Sequence, residues 1–64
     1  MYVNGQHILL QNTISLNDLL EKEGYDTQRV AVEKNGNIVP KKNFQTEMLC
    51  DSDKLEIVHF VGGG

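Results

Sequence analysis

Three glycines, Gly62, Gly63 and Gly64, follow the last apolar residues of the sequence and supply its first candidate for chemistry. Glycine has the smallest cross-section of any residue and broad backbone freedom, so a glycine tail suits passage through a narrow channel in another protein. The Gly64 carboxylate is therefore the candidate reactive group. The alternative is a disordered terminus or linker without a chemical role.

The other residues able to carry chemistry are few. Cys50 is the only cysteine, so an internal disulfide is impossible and a reducing, cytoplasmic location is expected. A sulfur-bearing role for Cys50 is conceivable, but a free cysteine is usually a small buried hydrophobe, and a structural role is expected. His7 and His59 with a single cysteine give no recognised zinc spacing, so we expect no metal.

Composition argues against several classes of function. The chain has 64 residues, with six Lys and Arg against nine Asp and Glu, a formal charge of −3. We expect one domain, 1–64, that has no deep catalytic cleft and no general acid or base. The negative charge disfavours nucleic acid and favours a basic protein surface as partner. An apolar run of the ~20 residues that span a membrane is absent from the sequence.

Local patterns predict a short α+β fold. Asn4-Gly5 lies between the apolar runs Met1–Val3 and Ile8–Leu10, which predicts a hairpin of two strands. Ser15 as N-cap, Asp18 three residues on, and Gly24 as the stop predict a helix whose leucines pack on a sheet.

The second half of the chain predicts three more extended segments. Arg29–Lys34 is predicted as a strand that ends at the turn Asn35-Gly36, and Ile38–Pro40 as an edge piece. For 41–50 we expect a short 3₁₀ or irregular segment, in which the apolar anchors are Phe44, Met48 and Leu49.

The last strand is predicted to carry the tail. Asp51–Asp53 is expected to be a solvated turn, and Lys54–Val61 a strand that lies parallel to the first one and beside it. His59 is a candidate for a partner interface, although a solvent-exposed strand histidine is the commoner case. Phe60 and Val61 either belong to an apolar docking patch or complete the core.

The whole chain resembles the sulfur carrier family of thiamine biosynthesis (ThiS), which has the β-grasp, ubiquitin-like fold. The resemblance rests on the opening strand into Asn4-Gly5, the Leu19-Leu20 helix, the segment Val30–Pro40, and Leu55–Val58 leading to the glycines. Many members have Gly-Asp before the final strand where this chain has Ser52-Asp53. This departure concerns the turn and leaves the tail chemistry unaffected.

The resemblance implies a protein substrate and not an enzyme. An E1-like adenylyltransferase of the ThiF type would use ATP to adenylate Gly64, and sulfur supplied through a cysteine desulfurase would convert it to a thiocarboxylate. Thiazole synthase of the ThiG type would then accept the sulfur. Gly62 and Gly63 would thread into the partner as a flexible tail, 62–64, with His59, Phe60 and Val61 as possible docking residues; no bound cofactor is implied.

Three rivals remain open at this stage. The small subunit of molybdopterin synthase uses the same tail chemistry with a different acceptor enzyme. A ubiquitin-type modifier would instead form an isopeptide between Gly64 and a lysine of its target. A noncovalent β-grasp interaction module would have an incidental glycine tail and would tolerate removal of Gly63 and Gly64.

Overall fold

The computed structural model describes residues 1–60, so Val61 and the three terminal glycines lie outside the described range. In chain order the elements are β1 (Tyr2–Val3), β2 (Gln6–His7), β3 (Ile14–Ser15), α1 (Leu16–Lys22), β4 (Val30–Lys34), β5 (Asn37–Val39), a 3₁₀ helix (Lys41–Asn43), β6 (Met48–Leu49) and β7 (Lys54–His59).

Five of these strands form one mixed sheet in the order β2-β1-β7-β4-β5. β7 lies parallel to β1 and antiparallel to β4, which makes it the central strand. The remaining pairs in this sheet are antiparallel, and β3 and β6 form a separate two-stranded sheet. The predicted mixed sheet with one helix, and the parallel pairing of the first and last strands, are both confirmed.

Both Asn-Gly pairs form tight turns with positive φ at each central residue. Asn4 and Gly5 have φ of 50° and 83°, and Asn35 and Gly36 have φ of 52° and 87°. These values are those of type I′ hairpin turns, whose twist matches that of the flanking strands. The predicted hairpin is confirmed; because the two-residue turn starts the return strand at once, β2 comprises Gln6–His7, and the apolar stretch Ile8–Leu10 follows it.

The helix begins and ends where the sequence predicts. The hydroxyl of Ser15 accepts a hydrogen bond of 3.1 Å from the backbone N–H of Asp18. At the other end Gly24 has φ of 85°, its N–H bonds to the Glu21 carbonyl, and the Tyr25 N–H bonds to the Leu20 carbonyl. This pair of bonds is the Schellman motif, for which glycine is the favoured residue.

The segment between β5 and β7 is partly as predicted. β5 is an edge strand, and the 3₁₀ helix follows Pro40 directly. Phe44 and Leu49 are buried as expected, but Met48 is half exposed, so its prediction as an apolar anchor is wrong. The reason is β6, which the weak periodicity did not predict: successive strand residues point to opposite faces, so Leu49 faces inward and Met48 outward.

One apolar core lies between the sheet and the helix. Its buried members are Met1, Val3, Leu16, Leu19, Leu20, Val30, Val32, Val39, Phe44, Leu49, Leu55 and Ile57. Within residues 1–60, no buried side-chain nitrogen or oxygen lacks a hydrogen-bond partner. In the same range, none of the helical segments has the length and apolar character needed to span a membrane.

Candidate functional site

The predicted reactive tail follows the central strand of the sheet. β7 ends at His59 in the described range, whereas the sequence predicted a strand to Val61. Val61, Gly62, Gly63 and Gly64 lie outside the described residues, so the predictions made for them stay predictions. The described residues show how the strand that leads to the tail is held. β7 pairs with β1 on one side and with β4 on the other.

The first half of β7 is held by more than its strand partners. The Asn4 side chain accepts a hydrogen bond from the Ile57 N–H at 2.7 Å and donates one to the Ile57 carbonyl at 3.1 Å. From the other neighbour, the Asn35 side chain accepts a bond of 3.0 Å from the Lys54 N–H. Both asparagines that form the type I′ turns therefore also fix the central strand.

The end of β7 is exposed. His59 pairs with Val30 across the sheet, yet its side chain is exposed. The Phe60 N–H donates to the Arg29 carbonyl at 2.7 Å, and its side chain remains 48% exposed. Of the two roles predicted for Phe60, completion of the core is therefore wrong. Lys41 lies over the Phe60 ring, with Nζ 5.8 Å from the ring centroid.

The sheet surface turned away from the core is continuous with this end of β7, and we call it the outer face. Register places Val58 opposite Ala31, Glu56 opposite Glu33, and Glu33 opposite Ile38, so these five residues share the outer face. Val58 is 61% exposed and Ile38 is 74% exposed. Val58 lies on β7 and Ile38 on β5, with β4 between them, so the outer face carries two separate exposed apolar side chains.

An acidic pair lies in the middle of the outer face. Glu33 and Glu56 are direct cross-strand partners, and both are exposed. Like charges directly opposite each other on a sheet are destabilising. The pair gives the middle of the outer face a local negative charge.

A polar network anchors the turn before β7. The Asp53 carboxylate accepts bonds of 2.9 Å from the Cys50 N–H and from the Asn35 side chain, with Lys34 Nζ at 3.8 Å. Burial acts to raise the pKa of Asp53, but these donors and the Lys34 charge outweigh it and lower the pKa. Because Asp53 is buried and bonded, the prediction of a merely solvated turn is wrong at this residue.

Lys34 links this network to the segment before β6. Its Nζ donates to the Glu47 carboxylate at 2.8 Å and to the Met48 carbonyl at 3.1 Å. The Glu47 hydrogen bond is the main reason that the pKa of Lys34 is raised, with Asp53 adding to the effect. These contacts tie the end of β4 to the start of β6 and offer a structural explanation for the charges of Lys34 and Glu47.

Asp51 binds the amino end of the described chain. Its carboxylate accepts bonds from the Met1 amino group at 3.0 Å and from the Leu10 N–H at 3.2 Å. The Met1 bond, followed by the Leu10 bond, lowers the pKa of Asp51. Asp51 and Asp53 therefore both have structural roles as hydrogen-bond acceptors. Among residues 1–60, no group of three or more His, Cys, Asp or Glu is placed to hold a metal ion.

Cys50 differs from its prediction. Its side chain is exposed, with Sγ 3.4 Å from the Ser52 hydroxyl, so the expected buried cysteine is wrong. The physical reason is the turn: Leu49 takes the inward position of β6, and the Asp53 N–H bonds back to the Cys50 carbonyl at 3.0 Å. The strand alternation and this tight turn direct Cys50 outward.

Sequence reasoning found the strand end but missed most of the outer face. The alternation along the last strand alone predicts that Glu56 and Val58 lie on the face of the sheet opposite to that of Leu55 and Ile57. That Glu33 and Ile38 join them depends on which strands pair, and no local pattern gives that information. Lys41 gave no local signal, because its contact with Phe60 joins residues distant in sequence.

Comparison with known proteins identifies the family of the chain. The ThiS family model matches residues 1–64, and it includes the tail. The chain belongs to the ThiS family. It is 38% identical over 65 residues to the sulfur carrier protein ThiS of Bacillus subtilis, with 100% of this chain and 98% of that protein covered.

Solved structures of this family share the fold. A thiamine biosynthesis protein (ThiS) from Geobacter metallireducens is 27% identical, with a TM-score of 0.81 and coverage of 98% of this chain and 96% of that one. The predicted β-grasp fold is therefore confirmed.

A longer relative carries the same sequence region. A thiazole synthase of Paramagnetospirillum magneticum is 41% identical over 64 residues, which cover 100% of this chain and 20% of that protein. The chain thus spans about a fifth of that relative's length.

Proposed function

We propose that this protein is a cytoplasmic sulfur carrier for the thiazole moiety of thiamine, with the Gly64 carboxylate as the sulfur attachment site. An activating enzyme of the ThiF type adenylates Gly64, sulfur replaces AMP, and thiazole synthase accepts the sulfur from the resulting thiocarboxylate. The observation that carries the proposal is membership of the ThiS family over the whole chain, tail included. The relatives named for thiamine biosynthesis and for thiazole synthase favour this pathway over molybdopterin synthesis.

The tail chemistry follows from the state of the carboxylate. An α-carboxyl group has a pKa of about 3.3–3.7, so it is ionised at neutral pH and is a poor acyl electrophile. Reaction with ATP forms an acyl adenylate and releases pyrophosphate. Attack by hydrosulfide on the acyl carbon then breaks the bond to AMP and leaves a thiocarboxylate, with AMP and a proton as the other products.

The protein's own contribution is to present this group and to be recognised. A strand held by β1, β4, Asn4 and Asn35 is a rigid base for the tail. The outer face beside it offers Val58 and Ile38 for apolar contact and the Glu33–Glu56 pair for a basic partner surface. We expect the activating enzyme to dock on the outer face while the glycines enter its active site.

Substitution of Gly63 tests the threading of the tail. Gly63→Val places a β-branched side chain where the tail must pass, so pyrophosphate release with the cognate activating enzyme and ATP should fall by about 100-fold or more. Thermal unfolding should be unchanged, because position 63 lies beyond β7. Normal adenylation of a folded Gly63→Val protein would contradict the proposal.

Charge reversal tests the docking face. Glu56→Lys removes the repulsion with Glu33 and creates an attractive pair, which should raise the free energy of unfolding by about 0.2–1 kcal/mol. The same change should weaken binding to the activating enzyme about tenfold, since a basic partner surface would now meet a lysine. A variant that is more stable but binds more weakly cannot have lost affinity through misfolding.

The matched control is Glu23→Lys. Glu23 is also exposed but caps the carboxyl end of α1, away from the outer face, and the change alters net charge equally. It should leave binding within about twofold of the original protein, apart from long-range steering. Equal loss of binding by both variants would assign the effect to net charge and would overturn the docking face.

A further inference from the structure

Lys41 joins three segments at the point where the chain leaves the sheet. It belongs to the 3₁₀ helix that follows the edge strand β5. Its ammonium group donates to the backbone carbonyl of Gln28, just before β4, and lies 5.8 Å from the centroid of the Phe60 ring. A single side chain therefore connects the far edge of the sheet with the end of its central strand.

The two contacts act on the same short stretch of backbone. The Phe60 N–H already bonds to the carbonyl of Arg29, the residue next to Gln28. The Lys41 ammonium thus contacts both the backbone at Gln28, next to the acceptor of the Phe60 amide, and the Phe60 ring. A cation over an aromatic face is attracted by the ring quadrupole even at an exposed site.

We propose that Lys41 is a positioning residue for the tail, which holds Phe60 so that the following residues leave β7 in one direction. This inference rests on the proposed sulfur carrier function. Holding the side chain of Phe60, four residues before the proposed reactive carboxylate, reduces the conformations that must be searched after docking. The contacts of Lys41 are with Gln28 and Phe60, so its proposed effect on the tail passes through Phe60.

Substitutions that remove or keep the positive charge of Lys41 distinguish a positioning role from a simple packing role. Lys41→Met keeps an unbranched side chain but loses the ammonium, so both the bond to Gln28 and the attraction to Phe60 are lost. Lys41→Arg keeps a cation able to donate a hydrogen bond and to stack on an aromatic ring. Lys42→Met is the matched control, because Lys42 is an exposed lysine on the same 3₁₀ helix.

The first readout is the free protein by NMR. In the original chain the Lys41 ε-methylene protons should show an upfield ring-current shift from Phe60, and this shift should be absent after Phe60→Leu. Lys41→Met should lower the order of the Phe60 amide, whereas Lys42→Met should not. An unshifted Lys41 methylene, or unchanged Phe60 order in Lys41→Met, would overturn the proposal.

The second readout is adenylation with the activating enzyme in excess. Under single-turnover conditions Lys41→Met should slow adenylation about two- to fivefold, the range expected from losing one exposed cation–π contact. The affinity for the enzyme and the rate with Lys41→Arg should stay near those of the original protein. Equal rates for the original chain and Lys41→Met would overturn the positioning role alone, whereas no adenylation of the original chain would overturn the proposed function itself.

Discussion

The two halves of β7 differ in how firmly the protein holds them. In the first part of β7, residues 54–57, Leu55 and Ile57 are buried, and the backbone is bonded to two asparagine side chains as well as to its strand neighbours. Val58 and His59 at the end of β7, and Phe60 directly after it, are exposed. Buried side chains and additional side-chain hydrogen bonds are therefore found in residues 54–57, whereas the end of the strand presents side chains that a partner can contact.

Leu55→Ala should give the largest loss of stability. The Leu55 side chain is fully buried, so its truncation removes apolar contact and leaves a cavity that costs about 2–5 kcal/mol. Urea unfolding followed by circular dichroism measures this loss. A loss below about 1 kcal/mol would mean that the first half of β7 is not the stable half.

Asp53→Asn should have the next largest effect at neutral pH. Asparagine offers one acceptor oxygen where the carboxylate receives two donors and faces Lys34, so the loss should be about 1–3 kcal/mol. Unfolding in urea at about pH 7 measures it. A stability equal to that of the original protein would show that this network does not hold the start of β7.

The effect of Asp53 should depend on pH with a defined sign. Because folding lowers the pKa of Asp53, its stabilisation is present above the ordinary aspartate pKa of about 3.9 and is lost as pH falls through the lower folded value. The difference between the original protein and Asp53→Asn should therefore shrink between about pH 5 and about pH 2. A difference that stays constant over this range would exclude the charged carboxylate as its source.

Asn4→Gly should have an intermediate effect. Glycine accepts the positive φ of the turn, so the substitution removes the two hydrogen bonds to Ile57 without adding backbone strain. The expected loss is about 1–2 kcal/mol. Hydrogen exchange at the Ile57 amide should rise with it, and unchanged protection there would contradict the clamping role of Asn4.

Val58→Ser should have the smallest effect on stability. The Val58 side chain lies on the outer face and is exposed, so the change should stay within about 0.5 kcal/mol. Binding to the activating enzyme should nevertheless weaken, since an apolar contact is lost. A stability loss near that of Leu55→Ala would remove the contrast between the two halves of the strand.

Local chemistry predicted the turns and the helix, because their determinants lie within a few residues. Asn4-Gly5, Ser15 and Gly24 each require a particular backbone conformation or cap, and all three were predicted correctly. Met48 and Cys50 were predicted wrongly, because the exposure of Met48 depends on the pairing of β6 with β3 and that of Cys50 on the turn that follows β6. Pairing between distant segments leaves no mark in local periodicity.

The candidate site also has one part that local sequence predicts and one part that depends on pairing between distant strands. The tail was recognisable as a candidate because its composition is local. The outer face was not, since Glu33 and Ile38 join Glu56 and Val58 only through the strand order of the finished sheet.

The most direct test of the account is the mass of the protein after loading. The purified chain is incubated with its cognate activating enzyme, ATP and sulfide, and the terminal peptide is then isolated and measured. Localisation to this peptide is needed because oxidation of Met1 or Met48 adds almost the same mass as exchange of oxygen for sulfur. The account predicts one oxygen replaced by sulfur at Gly64, and its absence from the tail despite an active enzyme would contradict it.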